Sequence, residues 1–194
     1  MVQKFRRMGV LLVLALIGIA KGSSQQIAIK NNLFYDGVFL TPNASVEIST
    51  GKKHTLEIMG AVNPFTYSNN KKFKHWLLQP EYRYWFCSRF NGWFVGVHAH
   101  GGQFNVGNYK LPFGILHTVK DYRYEGWFVG GGASIGYQWV LSRHWGLEAE
   151  IGAGYAYLDY RKYPCATCGK KLKDSSKGYF GPTRAAISLV YVIK

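Results

Sequence analysis

Two histidines, His98 and His100 in "HAH", lie on one face of an extended chain, and Glu81 stands on a neighbouring segment. Imidazoles at that spacing with a carboxylate are metal-like. No further ligand motif accompanies them, so hydrogen-bonding filler is the preferred role and no metal is predicted. Cys165 and Cys168 in "CATC" form a second candidate. An exported location favours a local disulfide between them, with free thiols in a reducing niche as the competing reading. A zinc half-site needs a second Cys pair, and a thioredoxin-like motif needs a following helix; neither pattern is present. Cys87 is expected to be unpaired. His75, His117, Asp121, Ser68 and Ser134 offer the residue types of a hydrolase, but none has a distinctive spacing. No catalytic residue and no cofactor is predicted. The stretch "EGWFVGGGASIGYQWV", Glu125 to Val140, imitates a phosphate loop. A phosphate loop places its glycines in a turn between strand and helix. Here Gly130, Gly132 and Gly136 fall on alternate positions, and no helical pattern follows.

Alternation with period two is the strand signature, and it recurs in eight segments. They are Gln26–Tyr35, Asn43–Ser49, His54–Val62, Trp76–Cys87, Gly92–Gly102, Glu125–Val140, Trp145–Tyr160 and Tyr179–Lys194. Pro80 has no N–H for the ladder, which predicts a bulge or local break there. Connections alternate between long and short, as in "TGKK", "SRFN" and "LSRH" against "QFNVGNYKLPFGILHTVKDYRY". That asymmetry belongs to up-and-down barrels of the outer membrane, with short turns at one end and long loops at the other. The expected fold is all-β: an eight-stranded antiparallel up-and-down transmembrane β-barrel over residues 25–194.

One face of each segment is apolar and bracketed by aromatics: Trp76, Trp93, Trp127, Tyr137, Trp139, Trp145, Tyr155, Tyr157 and Tyr191. From Trp127 to Trp139, at ~3.3 Å per residue and a tilt of ~40°, the span is roughly 30 Å along the barrel axis. That suits a lipid-facing band with an aromatic girdle at each edge. The opposite face carries Lys30, Glu47, Glu57, Glu81, Arg83, His98, His100, Glu148, Glu150 and Arg184. Buried charges persist only when paired. An eight-stranded barrel has just enough interior for side chains. A self-neutralising polar network and a filled lumen are therefore predicted.

The 194 residues carry 24 Lys and Arg against 10 Asp and Glu, a formal charge of +14. "MVQKFRR" followed by the apolar run Met8–Ala20 and small residues up to Ser24 is read as a signal peptide, residues 1–24. That run is shorter than the ~17–25 residues that cross a bilayer as a helix. Cleavage would remove Lys4, Arg6, Arg7 and Lys21 and lower the charge to +10. An exported basic protein meets lipid and glycan rather than nucleic acid. The outer loops are expected to hold most of the basic residues, including Lys71, Lys72, Lys74 and Arg123, and in the last loop Arg161, Lys162, Lys170, Lys171, Lys173 and Lys177. Outer-membrane lipid and lipopolysaccharide are the expected partners.

The motifs "NPFTYSNNKKFKHWLLQPEYRYWFC", "RFNGWFVGVHAHGGQFNVG", "DYRYEGWFVGGG", "YPCATCG" and "YFGPTRAAISLVYVIK" together resemble a Bacteroidota family of small outer-membrane barrels of unknown function. Its members are often encoded beside fimbrillin-like surface proteins. The resemblance implies a role in surface-fimbria biogenesis or a surface complex, with fimbrial or other envelope proteins as partners. It supplies no catalytic residues. The chain departs from familiar barrels in ending "YVIK" rather than on an aromatic residue. The expected function is structural or accessory, in envelope scaffolding or fimbria assembly. A lipid A-modifying rim enzyme, and adhesion or anionic-ligand binding through basic loops, are the alternatives.

Overall fold

The computed structural model describes residues 26–67, 71–107, 122–164 and 173–193. The expected leader, residues 1–24, lies outside them. The strands are β1 (Ile27–Asn32), β2 (Asn43–Ser49), β3 (His54–Asn63), β4 (Thr66–Tyr67), β5 (Lys71–Trp85), β6 (Gly92–Gly107), β7 (Arg123–Val140), β8 (Trp145–Tyr163) and β9 (Lys173–Ile193). One short helix, α1 (Leu33–Phe39), joins β1 to β2. Every pairing is antiparallel, and the order β3-β2-β1-β9-β8-β7-β6-β5 closes through β3–β5 into a ring of eight strands. The two-residue β4 continues β3 past Pro64 in the same register against β5. The fold is the all-β up-and-down barrel that the alternation predicts.

Pro80 leaves the register unchanged. The β5–β6 ladder lapses at Gln79 and Pro80 and resumes at Glu81↔His98 in phase with Leu78↔Gly101. A local break, not a bulge, is the outcome. The register shift lies on β9, where Gly152 faces Arg184 but Ala153 faces Pro182. Thr183 is thus an extra residue beside a proline that cannot donate to the ladder.

The strand expected over Gln26–Tyr35 ends at Asn32. Leu33 and Tyr35 belong to α1, because the Asn32 side chain competes for the backbone. Its Oδ1 accepts from Phe34 N (3.1 Å) and Tyr35 N (3.3 Å), which caps the helix. The same oxygen accepts from Ile187 N (3.3 Å), and its Nδ2 donates to Ala185 O (3.1 Å). One side chain thereby starts the helix and binds the edge of β9 where β1 has ended. Leu40, at φ 48°, closes the helix in the left-handed region. Asn32→Ala is expected to lower stability by ~1–2 kcal/mol, the usual cost of a lost cap. A lower urea midpoint for the refolded protein checks this; an unchanged midpoint would mean the helix is held by packing alone.

Three short connections, at residues 50–53, 86–91 and 141–144, lie at one end of the ring, called here the turn end. At the last of them, Leu141 N donates to Trp145 O at 2.9 Å. The helix lies at the opposite end, called the loop end. The wall is uneven in height. β7, β8 and β9 have 18, 19 and 21 residues, but β1 and β2 have only 6 and 7.

The usual distribution of polarity is inverted. Val97, Ile135 and Ile151 are exposed on the outside, Ile151 at 63%. Lys30, Arg83 and five of the six strand glutamates, Glu47, Glu57, Glu81, Glu148 and Glu150, are buried inside.

Candidate functional site

From the turn end upward, inward-facing side chains occupy the lumen in layers. At the turn end Trp85, Phe90 and Phe94 pack with Ala28 and Val190 into an apolar floor. Trp85 donates Nε1–H to Thr55 Oγ1 at 2.9 Å, which satisfies its polar atom. Phe90 adopts φ 61°, an outlier for a bulky residue. Burial of its ring against Trp85, with centroids 6.0 Å apart, holds it there. Gly92 follows at φ 81°, where lack of a Cβ lets the turn close.

Above this floor lies a cluster of charges. Arg83 is the hub and reaches all five buried glutamates. Nη1 is 3.1 Å from both Glu47 and Glu148, Nη2 is 2.6 Å from Glu57 and 2.7 Å from Glu150, and Nε is 3.2 Å from Glu81. Its guanidinium also lies 4.4 Å over the Phe94 ring, which joins the charged layer to the apolar one. Lys30 contacts Glu47, Glu57 (3.4 Å) and Glu148 (2.5 Å). Arg184 contacts Glu57 (2.8 Å), Glu81 (2.9 Å) and Glu150 (2.6 Å). The strand register explains the proximity. Glu47 faces Glu57 and Glu57 faces Glu81, so three carboxylates stand in a row across three strands, and Glu81 in turn faces His98. Such a row repels itself unless cations are interposed. Five carboxylates against three cations leave a formal surplus of two negative charges.

The two histidines form the next layer. His98 Nε2 is 2.9 Å from the Thr183 hydroxyl, on the extra residue of the β9 bulge. His98 and His100 have ring centroids 5.8 Å apart. Ser134 donates to Glu81 at 2.7 Å, so its hydroxyl serves the charge cluster. Among the described residues no group of three or more His, Cys, Asp or Glu is disposed to hold a metal ion. Nearer the loop end, Phe73, Val106 and Tyr124 form a second apolar cluster, against which Phe39 of α1 packs.

The outward aromatics form two rims. Near the turn end Trp93 meets Tyr137 in a T-shaped contact and Tyr137 meets Trp139 tilted, with centroid separations of 5.1 and 4.9 Å, and Trp145 contacts Tyr191 at 5.0 Å. Trp76, Trp127, Tyr155 and Tyr157 lie toward the loop end, with Trp127 and Tyr157 5.9 Å apart.

A family model described as "Protein of unknown function (DUF3575)" matches residues 10–193. The chain belongs to that family. No curated protein matches it.

In this DUF3575 chain the basic residues assigned to loops need correction. Lys71, Lys72 and Lys74 are in β5, Arg123 in β7, Arg161 and Lys162 in β8, and Lys173 and Lys177 in β9. The strands continue well beyond the apolar band, which is where the alternation of hydrophobicity gave out. Lys162 Nζ sits 3.6 Å over the Tyr122 ring, and Arg123 lies 4.4 Å over Tyr163. Lys170, Lys171, Cys165, Cys168, Ser68, His117 and Asp121 lie outside the described residues. Cys87 is free and exposed beside a short turn. His75 Nδ1 lies 3.2 Å from Phe73 O.

Sequence reasoning missed the Trp85 floor and Thr183. Trp85 was detectable: it falls out of phase between Tyr84 and Phe86, both outward. Thr183 was not, because only the bulge turns it inward.

Proposed function

We propose that the protein is a non-enzymatic integral barrel of the outer membrane with a sealed lumen, acting as a structural or accessory element of the envelope. The observation that carries this reading is the inverted polarity: large apolar side chains cover the outside while charges fill the inside. In water such an exterior would be an aggregation surface far larger than soluble monomers expose. In a bilayer it is the expected lining, and the two aromatic rims suit the two interfaces. Lys74 and Arg161 stand outward beside Trp76 and Trp127, with Glu125 and Asp159 between them, around a groove of about 440 Å³. That position suits contact with anionic head groups such as those of lipopolysaccharide.

A packed lumen leaves little room for transport, so the exposed ends would carry the function. The resemblance to barrels encoded beside fimbrillin-like proteins, in Bacteroidota, supports fimbria assembly as the setting. The full chain expressed in a Gram-negative host is expected to resist alkaline carbonate extraction and to migrate faster on gels before boiling than after. A soluble protein without that shift would overturn the membrane reading. Deletion in the native host is expected to reduce surface fimbriae or envelope integrity. A mutant unaltered in both, with no envelope protein co-purifying in mild detergent, would overturn the accessory role.

A further inference from the structure

Between the histidine layer and α1 the lumen is not filled. A chamber of about 250 Å³ remains. Leu77, Phe104, Phe128 and Leu158 wall it, and Tyr35 of α1 reaches into it from the loop end. His100 and Thr183 border it on the side of the charge cluster. Thr183 already bonds His98. His100 is 93% buried, and its Nδ1 has no hydrogen-bond partner among the described residues. An apolar cavity with a few polar side chains at one end is the usual form of a small-ligand site in a barrel mouth.

The wall beside this chamber is also unlike the rest. β1 pairs with β9 only from Ile27↔Ile193 to Asn32↔Ser188. Beyond that rung α1 stands where a strand would continue. It turns Leu33, Val38 and Leu40 outward, while Phe39 stacks over Phe73 (6.2 Å) and Tyr35 meets His75 (6.4 Å). The chamber is therefore closed on this side by a seven-residue helix with apolar residues on both faces.

We propose that the chamber binds one small neutral amphiphile: a short alkyl chain or ring whose hydroxyl-type head sits at the end bordered by His100 and Thr183. Size follows from volume. A cavity of about 150 Å³ takes benzene, so this one suits roughly ten heavy atoms. Neutrality follows from the neighbouring cluster, whose surplus negative charge would repel a carboxylate head through a low-dielectric lumen. The chamber does not rest on the membrane reading, since the lumen is the same in detergent as in a bilayer.

The test uses the full chain refolded in deuterated detergent, with n-octanol and octanoate as probes and protein aromatic and methyl NMR signals as readout. Octanol is expected to give saturable one-site shifts and intermolecular contacts at Phe104, Phe128 and Leu158, with octanoate at least tenfold weaker. Ala156→Phe, which fills the chamber, should abolish the octanol response. Ala153→Phe, on the outer face of the same strand, should leave it intact. If Ala156→Phe does not refold, His100→Leu takes its place and should weaken octanol about tenfold. The proposal is overturned by absence of saturable shifts in the refolded wild type, by octanoate binding as well as octanol, or by a response that survives these interior changes. A barrel that shows the heat-dependent gel shift yet binds no octanol would sink this site while leaving the membrane reading intact.

Discussion

Arg83→Ala is expected to prevent the barrel from completing or to leave it barely stable. Arg83 is fully buried and bonds or pairs with Glu47, Glu57, Glu81, Glu148 and Glu150. Its loss would leave five buried carboxylates with only Lys30 and Arg184 as partners. Removing one member of a buried ion pair typically costs ~3–5 kcal/mol, because the other charge stays desolvated. Arg83 holds five such partners, so the upper end of that range is the floor of the expectation. The loss is read from the fraction showing the heat-dependent gel shift after refolding, and from the urea midpoint of whatever folds. Arg83→Lys should recover only part, since a compact ammonium cannot span five carboxylates as a planar fork does. Glu148→Gln is the control. It keeps the shape and removes one surplus negative charge, and should be much milder. Equal damage from Arg83→Ala and Glu148→Gln would mean that the cluster acts through packing and not through charge.

The second large effect is expected at Gly132→Val. Gly132 faces Gly154 across β7 and β8. A Cβ on Gly132 would run into the carbonyl of Ala153 and come within 2.9 Å of the Gly154 Cα. A Cβ on Gly154 would in turn meet Gly131 O and the Gly132 Cα. The obstacles are backbone, which cannot swing aside as a side chain can. Overpacking usually costs ~1–3 kcal/mol and sometimes more, and this site belongs at the upper end. Gly60→Val is the comparison. Gly60 points outward with nothing within 4 Å of its would-be Cβ, and a surface change of that kind should stay within about 0.5 kcal/mol. Refolding yield and urea midpoints of the pair decide it. Equal midpoints would mean that β7 and β8 can move apart without loss.

These glycines also mark how far the sequence could be read. Period-two alternation placed Gly130, Gly132 and Gly136 on a strand instead of in a phosphate loop, and β7 runs unbroken from Arg123 to Val140. The interior face was legible for the same reason: a strand sends alternate residues to opposite sides, so Glu47, Glu57, Glu81, Arg83, Glu148 and Glu150 had to share one face. What alternation could not indicate was how far each strand continues once both faces are polar. Lys162 and Lys177 were for that reason assigned to loops. Nor could it anticipate Asn32, whose side chain makes local bonds that end a strand where the apolar pattern carries on to Tyr35.

The sequence by itself determined the fold class, the two faces of each strand and the composition of the interior, because these depend on local periodicity and on the cost of leaving charge unpaired. Only the tertiary structure decided which charges meet. Arg83 became the hub of five carboxylates because ring closure brings β2, β3, β5 and β8 around one point, and no spacing along the chain encodes that distance. It also decided the uneven wall, the α1 closure and the chamber beneath it. Those arise where β1 is too short to follow β9, a mismatch that exists only once the two strands are side by side.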